Sequence, residues 1–222
     1  MGRTSDARER LLQVAAQLIH ARSYADVSVD DLCTAAGVNK GSFYYYFPAK
    51  RDLALAAVEA QWQQVRTTLL EPAFARDLPP LARFPRLFDL VAARHATRAE
   101  QSGCVLGCPF GNLALELSTR DEVVRAKLQE VFAGYCVYFE TALAEAAAAG
   151  EIAPANVAPA AQAVLALLEG ALLLAKTAND AGVVSRLGSQ VVPLIRGAGG
   201  SSAFRANQSL PATAMREGGS PP

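Results

Sequence analysis

Residues that start and stop helices divide the segment 28–50 into two short helices, and this punctuation constrains the fold more than any other feature. Ser28 opens the run Ser-Val-Asp-Asp, a capping-box pattern with Asp31 at the third helical position. Gly37 suits a left-handed C-cap, and Asn39 can cap a second helix that stops before Pro48. Two short helices joined by so tight a turn predict a helix-turn-helix.

Helical periodicity continues along the chain, and no run of alternating β-branched residues interrupts it before the C-terminal tail. A first helix is predicted over about residues 5–22, with Thr4 or Ser5 as its N-cap, and a longer helix begins at Ala49. Further helices are expected near 84–99, 109–117, 120–149, 157–178 and 181–195. We predict an all-α chain with a three-helix domain at 1–50, a helical bundle at 51–196 and a Gly/Ser/Pro-rich disordered tail at 197–222.

Charge is balanced over the chain but not within it. The 222 residues include 21 Lys and Arg and 21 Asp and Glu, which excludes proteins that hold nucleic acid by overall charge. Residues 1–51 nevertheless carry seven basic against five acidic side chains, and residues 38–51 carry no acid. The small basic surplus therefore lies on the predicted helix-turn-helix.

Several absences favour a soluble cytoplasmic protein with no membrane partner. The four cysteines are too few for a disulfide framework, and the start of the chain lacks the apolar core of a signal peptide. The longest apolar stretch, residues 160–175, is interrupted by Gln162, Glu169 and Gly170 and is too short to span a bilayer.

The second helix of the motif combines hydrogen-bond donors with aromatic rings. Residues 43–47 are all aromatic, and five consecutive helical residues point all around the axis. Phe43 and Phe47 share one face and are predicted core residues, as are Leu32, Ala36 and Val38, so Tyr44 and Tyr45 should face outward. A helix start with free N–H groups and a nearby lysine suits phosphates and base edges. The predicted DNA-contacting residues are Ser28, Asn39, Lys40, Gly41, Ser42, Tyr44, Tyr45 and Lys50, the last as a phosphate clamp.

The stretch GVNKGSFYYYFPAKRDL resembles the signature of the TetR family of bacterial regulators, and the likeness covers about residues 5–55. Asn39 replaces the commoner Ser, Tyr46 stands where His is frequent, and Ala49 replaces Ser or Asn. The resemblance implies a homodimeric repressor with two DNA-binding heads on a palindromic double-stranded operator. It also implies that a small-molecule inducer in the C-terminal domain spreads the heads and releases DNA.

A second block, from Gly107 to Ser118, resembles the pattern G-C-x-x-G-N-L-A-x-E-x-S of one TetR subgroup. Some regulators of the family respond to electrophiles or oxidants through a cysteine in this region. The start of a helix beside Cys108 could lower the pKa of its thiol, so an alternative function is thiol sensing through Cys108 or Cys104. Ordinary burial of both as small apolar residues is the competing interpretation.

The inducer pocket is expected to be apolar with few polar groups, and to suit a small apolar, aromatic or electrophilic ligand. Its candidate residues, each of which could also be ordinary core, are Trp62, Phe88, Val91, Cys104, Cys108, Phe110, Leu113, Phe132 and Cys136. Cys104 and Cys108 lack partners at zinc-ligand spacing, so no metal or cofactor is predicted. The last two helices are expected to pair with a second copy through Leu165, Leu168 and Leu172 and through Val183, Leu187 and Val191.

Two other classes compete with a regulator. An enzyme is not expected, because no nucleophile elbow, dinucleotide fingerprint or P-loop is present, and the Asn-Lys-Gly-Ser of residues 39–42 lacks the upstream glycine and strand. A helical ligand-binding module without DNA binding is the second class, and the aromatic-basic helix argues against it.

Overall fold

The computed structural model describes residues 3–153 and 157–198, and within them the all-α prediction is confirmed. The helices are α1 (Arg3–Ala21), α2 (Val29–Ala36), α3 (Lys40–Tyr46), α4 (Lys50–Val65), α5 (Glu71–Ala73), α6 (Arg83–Ser102), α7 (Pro109–Leu117), α8 (Glu122–Ala148), α9 (Val157–Ala178), α10 (Gly182–Gly188) and α11 (Val191–Ala198). A π-helical turn, Arg66–Leu70, joins α4 to α5, and a 3-10 turn, Pro80–Ala82, precedes α6.

Three boundaries differ from the sequence-based prediction. Helix α1 begins at Arg3, ahead of the predicted cap at Thr4 or Ser5. The single helix expected over 181–195 is two helices, which separate at Ser189 and Gln190. The tail predicted from residue 197 begins inside α11, and residues 199–222 lie outside the described part of the chain.

The caps of α2 and α3 form as the sequence indicates. Ser28 Oγ accepts the Asp31 N–H at 3.1 Å, and an Asp31 carboxylate oxygen accepts the Ser28 N–H at 2.8 Å. Gly37 has φ 63° and ψ 40°, a left-handed conformation that costs glycine little. Asn39 Oδ1 accepts the Ser42 N–H at 2.7 Å. The helix-turn-helix is therefore fixed by bonds that span only a few residues.

We call α1, α2, α3 and the first half of α4 the head. Its core confirms the predicted packing: Leu32, Ala36 and Phe43 are buried, and Val38 packs against them. The other buried members are Leu11, Leu12, Ala15, Val27, Cys33, Phe47, Leu53 and Ala57. The head core thus extends into α4, beyond the predicted domain boundary at residue 50.

We call α6 to α11 the bundle; its core also takes Val58 and Val65 from the second half of α4. Helix α8 packs against α9, and α10 packs against both α6 and α9. Gly188 lies so close to Phe88 that an added Cβ would overlap its ring, which fixes the approach of α10 to α6. A shared helix therefore connects two separate cores.

Helix α9 is the one helix of the described residues that is long and apolar enough to cross a membrane, judged by length and composition alone. One of its faces packs inside the protein, through Ala160, Ala161, Val164, Leu168, Ala171, Leu172 and Ala175. That pattern is typical of a core helix in a bundle.

Candidate DNA-binding surface and ligand cleft

The outer face of α3 presents rings and a cation to solvent. Tyr44 and Tyr45 are 53% and 78% exposed, whereas Phe43 and Phe47 are buried, so the predicted division of the aromatic run is confirmed. Lys40 is exposed and forms an ion pair with Asp30 at 2.8 Å, which raises the pKa of its ammonium group. Gly41 is exposed beside it. This face is open to a partner.

Ser28 and Asn39 lie at the starts of the two helices, where they serve as caps. The Ser28 hydroxyl also donates to the Asp31 carboxylate at 2.6 Å, and Ser42 supplies the N–H that Asn39 accepts. All three positions border the exposed surface of the motif. Their contacts with DNA stay a prediction, whereas their capping hydrogen bonds are observed in the structure.

Lys50 lies differently from the prediction. Its ammonium group donates to the carbonyl oxygens of Tyr24 and Val27, both at 2.8 Å, and sits 4.1 Å from the centre of the Tyr24 ring. Partial burial lowers its pKa. Lys50 therefore holds the loop between α1 and α2, and the predicted free phosphate clamp is not the arrangement observed.

Two polar contacts join the head to α7 and the loop before it. The Glu116 carboxylate accepts the N–H groups of Tyr24 and Ala25 at 2.8 and 2.7 Å. His20 Nε2 lies 2.8 Å from the carbonyl oxygen of Gly107. Sequence reasoning matched Glu116 and Gly107 to the subgroup pattern but missed this role, because their partners lie about ninety residues away along the chain. A shift of α7 would therefore displace the part of the head that these bonds hold.

A narrow cleft lies where α4, α6, α7, α8 and α9 meet, with a water-accessible volume of about 30 Å³. Three predicted pocket residues, Val91, Cys108 and Phe110, line it. Most of the lining is apolar, and four polar side chains, Gln61, Arg94, His95 and Arg98, also line the cleft. A signal for them exists in the sequence: the apolar stripe of α6 at Phe84, Phe88 and Val91 runs on, at spacings of three and four residues, to His95 and Arg98. That the inducer binds here stays a prediction.

The other six predicted pocket residues lie outside this cleft. Trp62 packs against Tyr135 and Gly134, and Phe88 packs against Gly188. Cys104 is exposed after the end of α6. Leu113 lines a space between α1, α4 and α7, and Phe132 and Cys136 pack at the edge of the bundle core. Helical periodicity identified them as apolar but could not separate cavity wall from core.

The Cys108 thiol is buried and does not behave as the sequence suggested. It caps α7, with its sulfur 3.3 Å from the Gly111 nitrogen, yet burial and the neighbouring Glu169 carboxylate raise its pKa well above the usual range. The expected lowering by a helix start is outweighed, because removing the thiolate from water costs more. Burial also raises the pKa of Glu169.

The two halves of the chain match known families. Residues 11–57 match the model for bacterial regulatory proteins of the tetR family, and residues 83–191 match the tetracyclin repressor-like C-terminal domain. The chain belongs to the TetR family. It is a helix-turn-helix transcriptional regulator, and the family is one of regulators rather than enzymes.

Several relatives of this TetR-family chain are similar to it in sequence over most of its length. It is 33% identical to an uncharacterized regulator of Lactococcus lactis, over 81% of this chain and 88% of the relative. It is 35% identical to the regulator AcuR of Cereibacter sphaeroides, over 77% and 76%. A regulatory protein TetR from Rhodobacter sphaeroides has the same fold, with a TM-score of 0.73 and 29% identity over 85% and 98% of the two chains.

Half of the predicted dimer-seam residues of this TetR-family chain lie in the core of the single chain, and the residues of the seam stay a prediction. Leu168, Leu172 and Val191 are buried inside the single chain, in the bundle core. Large apolar side chains on the other face of α9, Leu173 and Leu174, are exposed instead. The periodic leucines of α9 therefore include residues of its internal face.

Proposed function

We propose that the protein is a cytoplasmic homodimeric repressor that binds a palindromic operator through α3 and leaves it when a small inducer enters the cleft. The observation that carries this proposal is the division of residues 43–47, with Phe43 and Phe47 in the core and Tyr44 and Tyr45 exposed beside Lys40. A helix so anchored offers a rigid reading surface for the major groove. A further relative, 30% identical over 68% of this chain, is named as the transcriptional repressor DhaR of a Mycobacterium species.

Coupling between ligand and DNA would run through α7. Cys108 and Pro109 line the cleft and begin α7, while Glu116 near its end binds the loop after α1. Widening of the cleft would displace the start of α7, and the Glu116 carboxylate would carry that movement to the head. An inducer then shifts the equilibrium because it binds only the widened form.

The thiol-sensing alternative finds less support in the geometry. The Cys108 thiol is buried and held protonated, so it is a poor nucleophile. Cys104 is exposed but lies outside the cleft. The reduced form of Escherichia coli NemR has the same fold, with a TM-score of 0.72 and 25% identity, which is a likeness of fold. If an electrophile releases DNA from the wild type and not from Cys108→Ser or Cys104→Ser, the alternative gains over the ligand proposal.

A mobility-shift assay with the DNA upstream of its own gene tests the repressor proposal. We expect a sequence-specific, salt-sensitive shift, because phosphate contacts release counterions. Lys40→Gln should weaken binding and reduce the salt slope by about 1. The matched control is Arg125→Gln, which removes an equally exposed cation from α8. No sequence-specific shift with any upstream or divergent promoter fragment would overturn the proposal.

A further inference from the structure

Two arginines at the cleft are partly buried and have no carboxylate partner within 4.0 Å in the part of the chain that the structure describes. Arg94 donates to Thr68 Oγ1 at 3.0 Å and to Gln64 Oε1 at 3.4 Å, both neutral, and Arg98 has no hydrogen-bond acceptor for its guanidinium among the described residues. Eight other arginines of the described ranges pair with Asp or Glu within 4.0 Å: Arg10, Arg51, Arg66, Arg76, Arg83, Arg86, Arg125 and Arg186. The other arginines without such a partner whose side chains the structure describes, Arg8, Arg22, Arg120 and Arg196, are exposed. Partial burial without a carboxylate partner therefore distinguishes Arg94 and Arg98 among the described arginine side chains.

Unpaired cations away from bulk water are costly, and the pKa values reflect that cost. Burial, with repulsion from Arg98, lowers the pKa of Arg94 to about 10, and burial lowers the pKa of Arg98 as well. Both remain charged at neutral pH. An anion in the cleft would remove the repulsion and supply the missing acceptors.

His95 adds an unpartnered donor at the same place. It is only 6% exposed, it lines the cleft, and neither ring nitrogen has a hydrogen-bond partner within the described residues. Burial, Arg98, His20 and Arg94 lower its pKa to about 4, so its ring is neutral at pH 7 and carries one N–H. That N–H is free for a ligand oxygen. Glu169 bonds to the Cys108 thiol and forms no ion pair with either arginine.

The remaining wall of the cleft is apolar and close. Its apolar part is formed by Val65, Leu69, Val91, Phe110, Leu168 and Leu172, and Cys108, Pro109 and Tyr135 complete the lining. A water-accessible volume of about 30 Å³ has room for little more than one or two water molecules. A ligand with a flat anionic head and a short apolar chain fits both walls, whereas a phosphate offers nothing to the apolar one. Its chain must push Phe110 or its neighbours aside.

From these groups we infer that the cleft binds a small organic monocarboxylate, with its head between Arg94, Arg98 and His95 and its short chain against the Phe110 wall. The inference rests on the proposed function, in which this cleft receives the inducer. The inference also explains the coupling between ligand and DNA, because the cleft is too narrow for the apolar chain of the ligand until α7 moves.

Titration calorimetry on the full chain, without DNA, tests the ligand class. The probes are the sodium salts of propionic, butyric and pentanoic acid, the three corresponding primary amides, and inorganic phosphate. We expect at least one acid to bind, and its amide to bind about 10- to 100-fold more weakly, because the amide loses charge-assisted hydrogen bonds. Three outcomes would overturn the inference: no acid with a Kd below about 10 mM, equal binding of acid and amide, or phosphate binding as tightly as the acids.

Variants of Arg98 locate the site. Arg98→Gln should weaken binding of the best acid by about tenfold or more, and Arg98→Lys should retain part of the affinity. Arg125→Gln, on the exposed surface of α8, should leave it unchanged. Since the Arg98 guanidinium makes no hydrogen bond to described residues, Arg98→Gln should fold, and thermal unfolding checks this. Wild-type affinity in a folded Arg98→Gln chain would rule this cleft out.

The two proposals can fail separately. If the ligand-free chain shifts promoter DNA but binds no probe acid, the carboxylate inference fails and the repressor proposal stands. If an acid binds in calorimetry and depends on Arg98, but no DNA is shifted, the ligand class stands and the repressor proposal fails.

Discussion

The polar contacts that end the helices of the head span few residues, and those of Arg10 with Ala36 and of Lys50 with Tyr24 span 26, whereas contacts that join the helices of the bundle reach much farther along the chain. In the head the caps join residues three apart, as between Ser28 and Asp31 and between Asn39 and Ser42. In the bundle Arg83 binds Glu145, 62 residues away, and the Val105 N–H binds Asn179, 74 residues away. Because the capping bonds are local, the ends of the helices of the head can be predicted from sequence. The same bonds let the head act as a small rigid unit. In the bundle, helices that are distant in the sequence together form the cleft, and the residue pattern of a single helix indicates the cleft only in part.

The largest expected effect is on the head core. Phe43→Ala removes a fully buried ring from a small cluster and should lower the free energy of unfolding by about 3–5 kcal/mol. Because the bundle has its own core, we expect two transitions in thermal unfolding followed by circular dichroism, with only the first lowered. DNA binding should be lost. Tyr44→Ala, next in sequence and exposed, is the control and should unfold as the wild type does. One common, lowered transition would mean that the two regions are a single cooperative unit.

Acid should act at the junction between the two regions. Burial, with Arg98 and Lys176 nearby, lowers the pKa of His20 to about 4, and burial with Arg98, His20 and Arg94 does the same for His95. The unfolded chain takes up these protons near pH 6.5 and the folded chain only near pH 4, so stability falls as the pH drops between those values. We expect a loss of about 1–2 kcal/mol per histidine from pH 7 to pH 5, measured by urea unfolding.

A variant isolates the share of His20 in that loss. His20→Asn should show a smaller decrease between pH 7 and pH 5 than the wild type, since one of the two uncharged rings is gone. Glu169 has a raised pKa and therefore acts with the opposite sign, so the comparison between variant and wild type is the informative quantity. An identical decrease in the two proteins would contradict the assignment.

The same contrast in contact range explains how much the sequence predicted. Ser28, Gly37, Asn39 and Pro48 gave the ends of α2 and α3, since caps depend on neighbours in the chain. The exposure of Tyr44 and Tyr45 followed from helix geometry alone. The TetR family followed from the same residues, which its N-terminal family model also matches.

The cleft could not be predicted in the same way. Arg94 resembles part of a solvated helix face in sequence, whereas His95 and Arg98 continue the apolar stripe of α6. The burial of all three depends on α4, α8 and the start of α7, which close over them. Lys50 looked free because the carbonyl groups of Tyr24 and Val27 that hold it belong to another turn of the chain. On α9 a core face and a dimer seam cannot be told apart from sequence, because both are apolar stripes of the same period.

A variant of Glu116 tests whether the contact of α7 with the loop after α1 holds the head to the bundle. Glu116→Gln removes the charge from a group that accepts two N–H bonds. It should weaken the interaction between the head and α7 by about 1–3 kcal/mol. We expect a lower midpoint for head unfolding and weaker operator binding, by calorimetry and mobility shift. Glu122→Gln, exposed on α8, is the matched control. Unchanged midpoints and affinity would show that the loop is held without Glu116.

The smallest effect on stability should come from the residue with the clearest functional expectation. Tyr45 is exposed and packs only edge-to-face against Tyr46, with ring centres 4.9 Å apart, so Tyr45→Ala should change the free energy of unfolding by about 0.5 kcal/mol or less. Operator affinity should nevertheless fall about tenfold, since the outer face of α3 is where DNA would lie. Val123→Ala, an exposed apolar position on α8, is the control and should leave affinity unchanged. Phe43→Ala and Tyr45→Ala then separate what α3 does for the fold from what it does for DNA, because the two side chains lie two residues apart on opposite sides of one short helix. Wild-type affinity in a folded Tyr45→Ala chain would move the reading surface away from this residue.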